Sequence, residues 1–167
     1  MRWDEFASAC PELADLVHER FEREQIFLLG TLRPDGSPRI SGLECDFVDG
    51  ELMAGMIWQS AKARDLLRDS RMTIHSLVPD KEHESANQGD LKLYGHARAI
   101  NEPERKRRYE EAIEARIDWR PPEPYHCFAF ELDQAGMVRF IDESRLVWTW
   151  RSGAELVKRT LPVHTAE

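Results

Sequence analysis

Residues 51–76, ELMAGMIWQSAKARDLLRDSRMTIHS, set one short helical pattern between two strand patterns. ELMAGMI (51–57) and RMTIHS (71–76) are largely apolar and suit a pleated, half-buried surface. Between them, SAKARDLLR opens with Ser60 and carries Lys62 and Arg64 in its first turns. A helix N-terminus collects unpaired N–H groups and partial positive charge. Two cations beside it make a place to hold a phosphate or another anion. Taken alone, Ser60 is an N-cap worth about 1 kcal/mol, and Lys62 and Arg64 form a solvated face. Ala63, Leu66 and Leu67, at i, i+3 and i+4, point to a buried side of the same helix.

The neighbouring segments extend the pattern. QIFLLGTLR (25–33) reads as a strand and PDGS (34–37) as a turn, with Pro34 presetting φ and Gly36 allowing positive φ. PRISGLECDFV (38–48) is the partner strand, and Asp49-Gly50 is the strongest hairpin signal in the chain. Three strands joined by tight turns predict an antiparallel meander. Residues 11–24 have helical spacing, with Pro11 suited to the first turn. After the strand at 71–78, the polar stretch 79–90 predicts a loop, and 91–100 another strand. Asn101 is placed to cap a helix from 102 with Pro103 in its first turn, and WRPPEP (119–124) stops it. Strand patterns follow at 125–132, 137–141 and 146–151. The fold class is α+β, mainly β: a six- to seven-stranded antiparallel split β-barrel with three peripheral helices. A doubly wound parallel sheet fits less well, because turns and not helices join the first strands.

At 167 residues the chain is expected to be a single domain, 1–167. A net charge of −8 offers no global basic field for nucleic acid, and makes a local Lys/Arg cluster more informative. No window reaches the roughly 18 apolar residues of a membrane helix, and the acidic N-terminus does not read as a signal peptide. Three cysteines without Cys-x-x-Cys spacing point to a reducing cytoplasm rather than a disulfide framework or zinc ribbon.

The run of strand, PDGS turn, strand, Asp-Gly hairpin, strand, Ser60-Ala61-Lys62 helix and strand over residues 25–78 resembles the pyridoxamine 5′-phosphate oxidase-like family, the flavin- and deazaflavin-binding split barrels. The ending LVWTWRSGAELVKR (146–159) is a weaker match. The resemblance implies FMN, or alternatively the deazaflavin coenzyme F-420, with its phosphate where the third strand enters the short helix. Ser60 and Lys62 then correspond to phosphate ligands, and Arg64 stands further along the helix. Gly55 and Met56 pass the cofactor by backbone, and Ser41 lies on the strand facing its ring. Trp150 corresponds to an aromatic residue near the ring. The implied activity is an oxidoreductase moving a hydride between the bound ring and a small organic substrate. The family builds its site between subunits, so a homodimer is implied, with Trp150 and Arg151 reaching across. Where the vitamin-forming oxidase carries basic residues, this chain has Ser41, Asp46 and Ala61. That points away from pyridoxamine phosphate as substrate.

Two other readings remain open. His75, His96 and His126 lie in strands, so a haem-binding or haem-degrading barrel is one; a non-catalytic flavin-binding module is the other. No second metal ligand falls at a diagnostic spacing from these histidines, and ordinary strand positions account for them. His83, beside Glu82 and Glu84, reads as solvated. Cys45 and Cys127 read as small buried hydrophobes, and no nucleophile-elbow context is present. Trp148 and Trp150 share one strand face, as core or near a ring. The mixed-sign helix 104–116 is a solvated face and not a nucleic-acid patch.

Overall fold

The computed structural model describes residues 1–77 and 89–163. Most of the stretch read as a loop at 79–90, with His83, lies outside the described residues. Among the described residues are four helices and nine strands: α1 (Trp3–Ala9), α2 (Pro11–Arg23), β1 (Phe27–Leu32), β2 (Pro38–Leu43), β3 (Asp46–Val48), β4 (Glu51–Ile57), α3 (Ala61–Arg68), β5 (Arg71–Ser76), β6 (Asp90–Ile100), α4 (Pro103–Ile117), β7 (Tyr125–Ile141), β8 (Ser144–Arg151) and β9 (Val157–Pro162). All strand pairs are antiparallel. No described helix is long and apolar enough to cross a membrane.

The hydrogen-bonded path runs β2-β1-β5-β6-β7-β4-β3, with β8 and β9 branching from β7. The meander expected over β1–β4 does not form. Its two hairpins exist: the turn at 33–37 is closed by Arg33 N–H to Ser37 O at 2.8 Å, and Asp49-Gly50 has φ of 49° and 75°. They sit at opposite ends of the path. Only Glu44 and Cys45 separate β2 from β3. Three Cα steps reach at most about 11 Å, whereas seven flat strands would span about 29 Å. The sheet must therefore curl until its two ends face each other, which makes it a barrel with an unpaired seam between β2 and β4.

Other departures from the sequence pattern have local causes. The run 38–48 is two strands, because the chain changes partners at Glu44–Cys45. The runs at 125–132 and 137–141 are one strand, β7, whose first part pairs β4 and whose second pairs β8. β9 and α1 are additional elements. The N-cap of α4 is Glu102 and not Asn101, whose own N–H donates to Glu102 Oε2 at 3.1 Å.

Side-chain alternation sorts β4 between two cores. Leu52, Ala54 and Met56 face the barrel interior with Phe128, Phe130 and Leu132 of β7. Met53 faces a second cluster under α4 with Tyr109, Ile113, Tyr125 and Cys127. One end of the barrel is closed by α1 and α2 through Trp3, Phe6, Leu13, Val17 and Phe21. A β-bulge lies at Tyr94/Gly95, where the register against β7 shifts. A Cβ on Gly95 would stand 1.9 Å from the Glu131 carbonyl oxygen, so only glycine admits β7 at this approach. Gly95→Ala is expected to lower stability by about 1–3 kcal/mol or more through this backbone clash, read as a fall in the denaturation midpoint at unchanged m-value.

Candidate functional site

A cavity of about 690 Å³ occupies the seam. Its walls come from the end of β2 and the link after it (Gly42, Leu43, Glu44, Asp46), the end of β4 (Gly55, Met56, Ile57, Trp58), Lys62 of α3, and the α4–β7 region. Both sheet edges at the seam carry backbone groups that no strand satisfies, and side chains serve them instead. Lys62 Nζ donates to Gly42 O at 2.6 Å, holding the edge of β2. Gly55 N–H of β4 donates to the Tyr109 hydroxyl at 2.5 Å. A Cβ on Gly55 would lie 2.9 Å from that hydroxyl, so the glycine makes room for the tyrosine. Burial pushes the Tyr109 hydroxyl well above its ordinary pKa, so it stays protonated.

The junction of β4 and α3 follows from local sequence. Gln59 has φ of 55° and turns the chain sharply, and Ser60 then stands at the N-cap. The Ser60 Oγ makes no capping hydrogen bond; it is buried and has no partner among the described residues. Intrahelical bonding begins with Arg64 N–H to Ser60 O at 3.0 Å. The other three helices carry Asp or Glu in their first turns, where they complement the positive end of the helix dipole. α3 has none there. Its first turn presents N–H groups, a buried hydroxyl and Lys62, the donor set that suits an anion. Burial lowers the Lys62 pKa, opposed by the charge of Glu44.

Asp65 fixes α3 against the sheet. It is 2% exposed and accepts from Arg39 Nε at 2.6 Å, Thr31 Oγ1 at 3.0 Å and Arg68 Nη1 at 3.3 Å. Burial alone would raise its pKa, but these three bonds outweigh it and hold the carboxyl below its ordinary value of 3.8. Ala63 and Leu66 are buried beside it, whereas Leu67 is 51% exposed and is not part of the core.

Of the residues singled out in the sequence, Gly55, Met56 and Lys62 line the cavity. Ser60 lies between two lining residues, Trp58 and Lys62, without itself reaching the wall. Ser41 is next to Gly42 but outside the lining, and Arg64 is exposed on α3 away from it. Trp150 is 2% exposed and packs its ring 4.8 Å from that of Phe6, inside the barrel. A side chain so enclosed by its own chain does not reach across to a second one, so Trp150 leaves the candidate site. None of the three strand histidines reaches the wall, although His126 stands directly behind it. His75 lies 3.3 Å from Asp90, His96 lies 2.9 Å from Asp133, and His126 stacks on Trp58 with centroids 4.3 Å apart.

The sequence reading named Asp46 but missed the rest of the second wall: Tyr109, Arg116, Trp119, three prolines and Tyr125. Arg116 grips Asp46 through Nε at 2.6 Å and Nη2 at 3.3 Å, and this bond raises the already high pKa of Arg116. The available signal was a Trp and three prolines within six residues after a helix, a stiff loop with an exposed aromatic.

Comparison with known families matches residues 13–139 to the family described as Pyridoxamine 5′-phosphate oxidase. Among solved structures, a putative pyridoxamine 5′-phosphate oxidase from Listeria innocua is similar at 17% identity and TM-score 0.60, covering 75% of this chain and 97% of that one. A nimc/nima family protein from Clostridium acetobutylicum gives 12% and 0.61, covering 94% and 98%. HutZ, a haem storage protein from Vibrio cholerae, gives 14% and 0.57, covering 80% and 92%. No curated protein matches the sequence.

Because the Asp65 pKa is depressed, its network stabilises the fold above about pH 4 and is lost as pH falls through the lowered value. Asp65→Asn is expected to cost about 2–4 kcal/mol at pH 7, since Arg39 and Arg68 keep some contact with water. It should also flatten the acid limb of stability below pH 4, measured as melting temperature against pH.

Proposed function

The chain belongs to the pyridoxamine 5′-phosphate oxidase family, and we propose that its seam cavity binds FMN or a deazaflavin coenzyme and that the protein is an oxidoreductase acting on a small organic substrate. The observation that carries this reading is the first turn of α3. It alone among the described helices lacks an acidic residue, and it sets a buried, unpartnered Ser60 hydroxyl just behind the wall, two residues before Lys62, which lines the cavity. This donor set fits a cofactor phosphate, and a cavity of about 690 Å³ with mostly apolar walls fits a ring system. When bound, the ring supplies the hydride chemistry; the protein supplies position and electrostatics. Ser60 and Lys62 would hold the phosphate. Lys62 must give up, or share, its bond to Gly42 O to do so. Gly55 and Met56 would pass the ring by backbone, and the protonated Tyr109 hydroxyl holds the edge of β4 in place beside it.

The charges on the wall point away from a phosphorylated substrate. Lys62 is the cation beside the proposed cofactor phosphate, and Arg116 is already taken by Asp46. Among the described residues no further lysine or arginine lines the cavity. The assembly we propose is a homodimer, with the exposed Ile40 of β2 and Leu67 of α3 in the contact. The haem reading is less well supported, since none of His75, His96 and His126 lines the cavity.

The test is titration of the purified protein with FMN and with the deazaflavin coenzyme, followed by fluorescence. Lys62→Ala should weaken binding by about 1.5–3 kcal/mol, or roughly ten- to 150-fold. Loss of the Gly42 contact should lower the melting temperature only slightly. Unchanged affinity for both cofactors, or a Soret band on adding haem with no flavin binding, would overturn the reading. With FMN bound, pyridoxamine 5′-phosphate should give no oxygen uptake above background.

A further inference from the structure

Twelve large apolar side chains are exposed among the described residues, and five of them, Ile26, Ile57, Trp58, Ile117 and Trp119, line this one cavity. Their concentration at a concave site and not over the surface indicates a ligand. Trp58 is 49% exposed, yet its ring is fixed: it lies on His126 at 4.3 Å between centroids and 13° between planes. His126 in turn sits on β7 opposite Met56, so strand pairing sets the stack. One indole face is covered by the imidazole and the other is left for a partner. Tyr125 and Pro124 adjoin the same stack, since Ile57 pairs with Tyr125. Trp119, 51% exposed, stands on the α4–β7 segment with Pro121 and Pro122, whose rings cost little entropy to hold in place.

Among the described residues the cations around this wall and the Tyr125 hydroxyl are engaged, whereas His126 Nε2 is buried without a partner. The Tyr125 hydroxyl donates to Glu110 at 2.8 Å. Lys106 lies over the Tyr125 ring at 4.1 Å and meets Glu123 at 3.4 Å. Arg120 meets Glu114 at 2.5 Å, and Arg116 is held by Asp46. The wall therefore offers flat carbon surface and no uncommitted cation.

We propose that Trp58, backed by His126, and Trp119 form a stacking slot for a planar, uncharged, largely apolar ring, and that this is the substrate class of the site. The assignment as substrate rests on the cofactor reading above; the slot itself does not. A planar ring would extend the His126–Trp58 stack by one layer. A phosphate or carboxylate on the ligand would have to be desolvated against aromatic and proline carbon with no cation to meet it.

The experiment is equilibrium dialysis with 2-naphthylmethanol, its phosphate monoester, and the fully saturated, non-planar decahydro analogue. It is run in phosphate buffer, so that an anion site at α3 is already filled, with and without FMN. The naphthyl alcohol should bind saturably, and the ester and the saturated analogue at least about tenfold more weakly. Trp58→Ala and Trp119→Ala should each weaken the alcohol by about two- to tenfold, and Trp58→Phe should restore it. Melting curves check that each variant folds, and sedimentation checks its assembly. Equal binding of alcohol and ester, or affinity unchanged in both alanine variants, would overturn the proposal. So would variants that dissociate the protein yet bind the alcohol normally, because the aromatic pair would then be a subunit contact. If FMN fails to bind while the alcohol still binds through Trp58, the cofactor reading falls and the slot stands. If FMN binds and the alcohol does not, the slot falls alone.

Discussion

Between Leu43 and Asp46 the chain has two residues in which to pass from one end of the hydrogen-bonded path to the other. A flat sheet cannot satisfy that constraint, and neither can a meander. The strands must tilt and curl until β2 and β4 lie across a gap from one another. Closing the gap with a ladder would need β2 to pair with β3 or β4, and neither pairing exists. The barrel is consequently left with two facing edges, and edges carry unpaired N–H and C=O groups that must be satisfied some other way.

The answer here is a pair of side chains from helices on either side. Lys62 reaches from α3 to the carbonyl of Gly42, and Tyr109 reaches from α4 to the N–H of Gly55. Each residue so contacted is a glycine, where no side chain of its own stands between the reaching side chain and the strand edge. The two helices are in turn anchored by charge. Asp65 draws Arg39, Thr31 and Arg68 around α3. Glu51 of β4 is met by Arg98 and Arg105, which ties α4 to β4 and β6. The helices thus keep the seam open at a set width, and that width is the cavity.

Local features of this arrangement were legible in the sequence because local chemistry writes them. Pro34-Asp35-Gly36 and Asp49-Gly50 encode their turns through φ, and Ser60 with Lys62 encodes the anion-ready helix start. The partner of each strand was not legible. Period-two alternation says which side chains share a face, but not which neighbour supplies the ladder. Trp150 shows the same limit at a single residue. Its alternation is equally consistent with a core or a site, and Phe6 on α1, a helix of seven residues too short to announce itself, decides for the core. Leu67 erred the other way: the i, i+4 rule put it with Ala63, but the buried face of α3 is narrow and centred on Ala63, Asp65 and Leu66.

The failed meander and the cavity are one fact. Had β2 continued as one strand through residue 48 and paired with β4, Gly42 and Gly55 would have been ladder positions, their backbone groups spent on each other. Because the chain leaves β2 at Glu44 and re-enters at Asp46, those two glycines face a space instead. The same two-residue link carries Glu44 into the wall, and Asp46, the first residue of β3, is gripped by Arg116 of α4. The Asp46 charge is thus neutralised from within the chain. The positive character of the site is confined to the start of α3, and the rest of the wall is left to Trp58, Trp119, Tyr125 and the prolines. Polarity is therefore divided between the two sides of the seam by topology: the side built by α3 carries Lys62 and a helix start free of acidic residues, and the side built by the α4–β7 segment offers carbon.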